Sequence, residues 1–145
     1  MLKIASMKKL TYILIFSVLI FSCNSKDDFI QDVYVNEFID LSLDPYNQLI
    51  TAGSSILIDN IGVEGIIIYH AVGNDYKVYD RNCSYEPSLS CSYIDSINST
   101  VAYCGCCSSA FLIDQDGIAA NPPALLPLKQ YNWSLGNNNI LRIFN

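Results

Sequence analysis

Five cysteines, Cys83, Cys91, Cys104, Cys106 and Cys107, fall within 25 residues of a 145-residue chain, and a sixth, Cys23, stands alone near the start. Thiols at that density form a covalent framework or a metal site, not five independent core positions. Either use constrains the fold early, because sulfurs that bond to each other or share an ion must converge in space. Any four of them allow three pairings, so spacing alone does not choose a connectivity. The single histidine, His70, excludes His-rich metal centres and argues against an intact Ser-His-Asp triad.

The start of the chain reads as an address. Lys8-Lys9 precede an uncharged run from Leu10 to Phe21, well short of the roughly 20 apolar residues that span a membrane. A basic n-region, a short apolar core and a small residue before a cut describe a secretory signal peptide. Met7 can serve as the true start as well as Met1. Ile20-Phe21-Ser22-Cys23 resembles a bacterial lipobox, which implies lipidation of Cys23 and removal of residues 1–22. Lys26-Asp27-Asp28, just behind it, resembles the surface-export signal of Bacteroidetes lipoproteins. The mature chain then carries five basic and fourteen acidic residues, a net charge of −9, which excludes a phosphate-neutralising nucleic-acid surface. The expectation is a lipid-anchored domain at the outer membrane or cell surface, facing periplasm or exterior, where disulfides persist. Residues 23–32 are its lipidated N-terminus and tether, and 33–145 its one domain.

With 51% hydrophobic and 15% charged residues, the remainder is a globular chain rather than a disordered one. It shows no convincing amphipathic helix and no internal repeat. Short β-rich runs recur between turn residues: Ser54 to Asp59, Gly65 to His70, Tyr76 to Tyr79, Thr100 to Tyr103, Ala110 to Ile113, Tyr131 to Leu135 and Ile140 to Phe144. Asp114-Gln115-Asp116-Gly117 is a hairpin-turn signal, and Asn121-Pro122-Pro123 marks an irregular loop. The fold class is all-β, a small antiparallel sandwich or barrel with a cysteine-rich loop subdomain at about 81–118.

The cysteine segment resembles a Rieske domain, whose 2Fe–2S cluster is held by Cys-x-His and, 15 or more residues later, Cys-x-x-His. Cys83-Ser84-Tyr85 stands at the first motif and Cys104-Gly105-Cys106-Cys107-Ser108-Ser109 at the second. The resemblance extends to the strand pair Gly65 to Tyr69 and Tyr76 to Asp80, the hairpin between Phe111 and Gly117, and the stretch Leu126-Pro127-Leu128-Lys129-Gln130-Tyr131. The segment also resembles a set of Bacteroidetes lipoproteins with Rieske-like domains in which the ligand histidines are commonly missing. Here Tyr85 takes the place of the first ligand histidine and Cys107 that of the second. Without two imidazoles on one iron, the high potential of a Rieske centre is lost.

The resemblance implies a disulfide between Cys91 and Cys106 that clamps the two ligand loops. Cys83 and Cys104, which bind one iron in the family, lie close enough to form a second disulfide when no metal is present. The expectation is therefore a non-enzymatic, disulfide-clamped surface module with no cofactor. Its alternative is an electron carrier with a non-standard 2Fe–2S cluster on Cys83, Cys104, Cys107 and Tyr85. A thiol–disulfide reagent at Cys106-Cys107 is the third reading. Elsewhere the plain readings prevail: Asp114 and Asp116 as turn residues rather than paired carboxylates, Asp27 and Asp28 as export signal or solvated tether, and His70 as an ordinary strand residue. The ten tyrosines and Trp133 are read as core and cross-strand packing rather than a binding strip.

Overall fold

The computed structural model describes residues 30–145; the signal segment, Cys23 and the pair Asp27-Asp28 lie outside the described residues. The described chain forms three antiparallel sheets. The first contains β1 (Asn36–Asp40), β9 (Asn132–Leu135) and β10 (Ile140–Phe144), with β10 in the centre. The second contains β2 (Ser55–Ile58), β3 (Ile66–His70) and β4 (Tyr76–Asp80), with β3 in the centre. The third runs in chain order through β5 (Ile94–Asn98), β6 (Val101–Cys104), β7 (Ala110–Leu112) and β8 (Ile118–Asn121). The all-β expectation holds, and every element implied by the Rieske resemblance occurs in its implied order.

The β2–β3–β4 sheet is the middle layer, which explains why its sequence does not alternate. Ile66 and Ile68 face the first sheet and pack with Val78, Tyr131, Leu141 and Ile143. Ile67 faces the other way, with Tyr79, Ile94, Ala102, Phe111 and Ile113. A strand buried on both faces reads as a continuous apolar run, and all five residues of β3 are buried. Full burial of each isoleucine side chain stabilises by roughly 1.5–3 kcal/mol, so this triplet anchors both halves of the molecule.

Residues 129–131 tie the layers together: the Asp80 N–H donates to the Lys129 carbonyl at 2.8 Å, and the Tyr131 N–H to the Val78 carbonyl at 2.9 Å. Asp80, fully buried at the end of β4, organises the turn beside them. Its carboxylate accepts the N–H groups of Val63 (2.7 Å), Glu64 (3.3 Å) and Asn82 (2.8 Å) and the hydroxyl of Tyr131 (2.7 Å). That satisfies a buried charge with donors alone. Gly62 permits the approach: its φ is +74°, and a Cβ there would lie 2.4 Å from the Asp80 carboxylate.

Two segments outside the strands depart from the sequence reading. Tyr46–Ile50 forms a 3-10 turn that buries Leu49. Residues 30–32, read as the end of the tether, are held by the domain, since Ile30 is buried and Asp32 pairs with Lys129 at 2.8 Å.

Candidate metal centre

Three loops meet at the end of the third sheet. The first leaves β4 and carries Cys83. Its base is closed by an Asn82–Tyr93 bridge and by two N–H donations, Cys83 to the Ser92 carbonyl (2.8 Å) and Ile94 to the Arg81 carbonyl (2.7 Å). Arg81 holds the same base from the side, donating from Nε to the Ile94 carbonyl at 2.9 Å while its guanidinium pairs with Asp59. The second loop leaves β6. Strand alternation there turns Ala102 and Cys104 inward and Tyr103 outward, so the sulfur of Cys104 faces the core by its register alone. The third is the Asn121–Leu128 segment, fastened to the first by the Ser84 hydroxyl on the Leu126 carbonyl (2.6 Å). It is fastened to the second by the Ala124 N–H on the Ser109 hydroxyl (2.9 Å).

Cys91 and Cys106 form a disulfide between the first two loops, with Cα atoms 5.2 Å apart, as the resemblance implied. The second expected disulfide is absent: Cys83 and Cys104 are both free thiols, as is Cys107. The reason is convergence. Cys107 is not left over but turns into the same pocket, so the sulfurs of Cys83, Cys104 and Cys107 all lie within 4.8 Å of one another. Cys83 and Cys107 are separated by 4.0 Å.

This donor set corrects the expectation that no cofactor is bound. Three unbridged cysteine sulfurs gathered at one point by a disulfide-fixed pair of loops are a donor set suited to a soft metal ion. They include every free cysteine among the described residues.

The pocket is graded in burial. Cys83 is fully buried, Cys104 nearly so, and Cys107 half-exposed. Burial pushes the Cys83 thiol up to about 12, against the pull of the Tyr85 N–H. Cys104 is also raised, chiefly by burial, although the N–H groups of Cys106 and Cys107 act the other way. For Cys107 burial acts upward too, but the hydroxyl and N–H of Ser109 and the neighbouring thiols outweigh it and lower the thiol. Nearby backbone N–H groups thus act on all three thiols to favour the thiolate, against the effect of burial.

Ser109 is the contributor that sequence reasoning missed. It is 1% exposed, and its Oγ lies 3.1 Å from the Cys107 sulfur while accepting from Ala124. A serine two residues past a thiol carries no sequence signal of its own. Tyr85 sits half-buried against the apolar cluster that contains Cys83, and its carbonyl accepts the Ser92 hydroxyl at 2.6 Å.

His70 belongs elsewhere. It stacks on Tyr76 with ring centroids 4.5 Å apart and donates from Nε2 to the Gly73 carbonyl at 2.7 Å. Asp116 occupies the β7–β8 turn and pairs with Lys77 at 2.8 Å, while Asp114 is an exposed turn residue. With no imidazole at either ligand loop, the residues present do not fit a standard Rieske centre.

No protein-family model matches the chain, and no curated protein matches it. Among solved structures it is similar to a chain in the complex of reduced oxygenase and oxidized ferredoxin in carbazole 1,9a-dioxygenase. That match has 13% identity and a TM-score of 0.48, and covers 79% of this chain and 94% of the other. It is similar to the Sphingomonas yanoikuyae B1 ferredoxin at 17% identity and a TM-score of 0.46, over 68% and 93%. The putative NADH-dependent nitrite reductase small subunit from Mycobacterium tuberculosis matches at 12% identity and a TM-score of 0.46, over 79% and 97%.

Proposed function

We propose that this protein is a membrane-tethered electron carrier whose redox centre is iron held by Cys83, Cys104 and Cys107. The observation that carries the reading is the convergence of three free sulfurs from two loops into one pocket, beside a disulfide that uses two other cysteines. A purely structural framework would have paired these thiols, whereas a metal site requires them unpaired. Thiolate ligands select iron or zinc over harder ions, and iron in such a shell exchanges one electron with a donor or acceptor. The graded burial suits electron exchange, because the metal would be shielded on the Cys83 and Cys104 side and approachable on the Cys107 side. Exposed Leu89, Leu125 and Leu126 on the surrounding loops give a transient protein partner an apolar surface beside the site. The tether, and with it a location on the outer membrane or cell surface, is supported by the lipobox-like Ile20-Phe21-Ser22-Cys23. Catalysis of a chemical step is not part of this role.

The test is the iron content and voltammetry of the full-length chain, purified anaerobically in detergent. The expected result is bound iron with a reversible one-electron wave that Cys83→Ser abolishes. A folded chain that takes up no iron, or iron without a wave, overturns the reading.

A further inference from the structure

The same three sulfurs carry information about how many metal ions they hold. In the two-iron arrangement that the ligand motifs imply, Cys83 and Cys104 bind one iron and the position of Cys107 serves the other. Sulfurs on opposite irons are separated by the whole sulfide-bridged core and lie more than about 5 Å apart. The observed distance between Cys83 and Cys107, the pair assigned to opposite irons, is 4.0 Å. No pair in the trio exceeds 4.8 Å. A single tetrahedral ion with metal–sulfur bonds of about 2.3 Å sets its ligands roughly 3.8 Å apart. The spacing of the trio thus matches one face of a tetrahedron around a single ion more closely than ligands on opposite irons.

We infer that the site binds one four-coordinate transition-metal ion, held by Cys83, Cys104 and Cys107, with its fourth position taken by solvent or another small external ligand. The burial gradient says where that position lies. Cys83 and Cys104 close the inner side, and half-exposed Cys107 borders the outer one. Ser109 does not fill the position, because its oxygen already accepts the Ala124 N–H and supports Cys107 from behind. Tyr85 is not required as a ligand: three sulfurs and one external ligand complete the shell. The site differs in this from a closed structural site of four protein ligands, which has no exchangeable place. This inference rests on the proposed metal-binding role of the pocket but not on the ion being iron.

The experiment uses the full-length chain in detergent under anaerobic conditions. It is titrated with cobalt(II) and with zinc(II) and, separately, reconstituted with iron(II) and sulfide. The expected result is one cobalt per chain with the intense visible bands of a tetrahedral ion, and one iron per chain with no acid-labile sulfide. Cys107→Ser should reduce the thiolate-to-cobalt charge-transfer band by about a third, as three sulfur donors become two. Tyr85→Phe should leave stoichiometry and spectrum unchanged, and added small thiols or azide should perturb the bands. Two irons and two sulfides per chain would overturn the single-ion inference while leaving the electron-transfer proposal standing. Uptake of one zinc to the exclusion of iron would do the reverse. Failure to bind any of the three metals would overturn both.

Discussion

Ser109→Ala tests whether the pocket is built from the inside. The substitution removes the acceptor of the Ala124 N–H, and Ala124 is 4% exposed. An orphaned buried donor costs about 1–3 kcal/mol. The lost contact to Cys107 adds less, because that sulfur is only partly buried. The sum is about 2 kcal/mol, which for a domain of this size lowers Tm by about 8 °C. Ser108→Ala is the matched control. Its hydroxyl donates to the Pro122 carbonyl at 3.1 Å on the exposed surface, so the expected loss is under about 0.5 kcal/mol. Both variants can be melted metal-free by calorimetry, beside the pH profile of Cys107 alkylation. Since the Ser109 hydroxyl helps hold the Cys107 thiol low, its removal should shift the alkylation profile to higher pH. Equal melting losses in the two variants, or an unmoved profile in Ser109→Ala, would refute the reasoning.

Asp80→Asn should destabilise by about 3 kcal/mol in urea, because the amide nitrogen replaces an acceptor of two donors and leaves at least one N–H unpaired; a loss under about 1 kcal/mol contradicts the four-donor reading. Gly62→Ala should cost well beyond the roughly 1–2 kcal/mol of a left-handed alanine, since its Cβ would meet Asp80. Gly73→Ala, at φ +84° in open space, should show only that backbone cost, and equal melts for the two would sink the distinction. Alkaline unfolding should depend on buried tyrosines. Tyr79 is raised, first by burial and then by nearby carboxylates, and Tyr131 by burial and by Asp80. A raised folded-state value means stability is intact below the unfolded value, near pH 10, and falls above it, by about 1.4 kcal/mol per pH unit for each such group. Tyr79→Phe should flatten that fall by one proton, as read from urea midpoints between pH 10 and 11.

Legibility followed burial. The runs visible in the sequence are the strands with a clear apolar pattern, above all β3, which is buried on both faces. The strands that escaped are β1, β5 and β8, all at sheet edges. Asn36–Asp40 and Ile94–Asn98 each bury one residue and Ile118–Asn121 none, so neither alternation nor a solid apolar run marks them. At the site, the positions of Cys83, Cys104 and Cys107 and the Cys91–Cys106 pair came from the Rieske resemblance, since spacing alone chooses no pairing. What spacing could not show is that Cys107 turns inward, since its direction is set by the loop returning to β7 and by Ser109 beneath it. The main reading therefore paired Cys83 with Cys104, and only its alternative set Cys107 beside them, where packing makes a trio. Asp80 and Arg81 were invisible for a related reason: a charged residue at a strand end looks solvated until a turn distant in sequence folds over it.

The trio also makes a statement about oxidation. Sulfurs 4.0 Å apart need only modest movement to reach the roughly 2.05 Å of a disulfide, and the proposed location is oxidising. Left empty, the pocket should lose two thiols to an oxidant such as diamide: each sulfur gives up its proton and one electron, and the diazene takes up both hydrogens as it is reduced to the hydrazine. The fixed Cys91–Cys106 bridge does not prevent this, since it closes a different pair. A bound ion does, because all three sulfurs are then committed as ligands and share a shell rather than a bond. Metal-loaded full-length protein should therefore keep three alkylatable cysteines after diamide and chelation, whereas metal-free protein should keep one. Equal protection of both forms would mean that the loops, not the ion, hold the thiols apart, and the case for a resident metal would lose its chemical necessity.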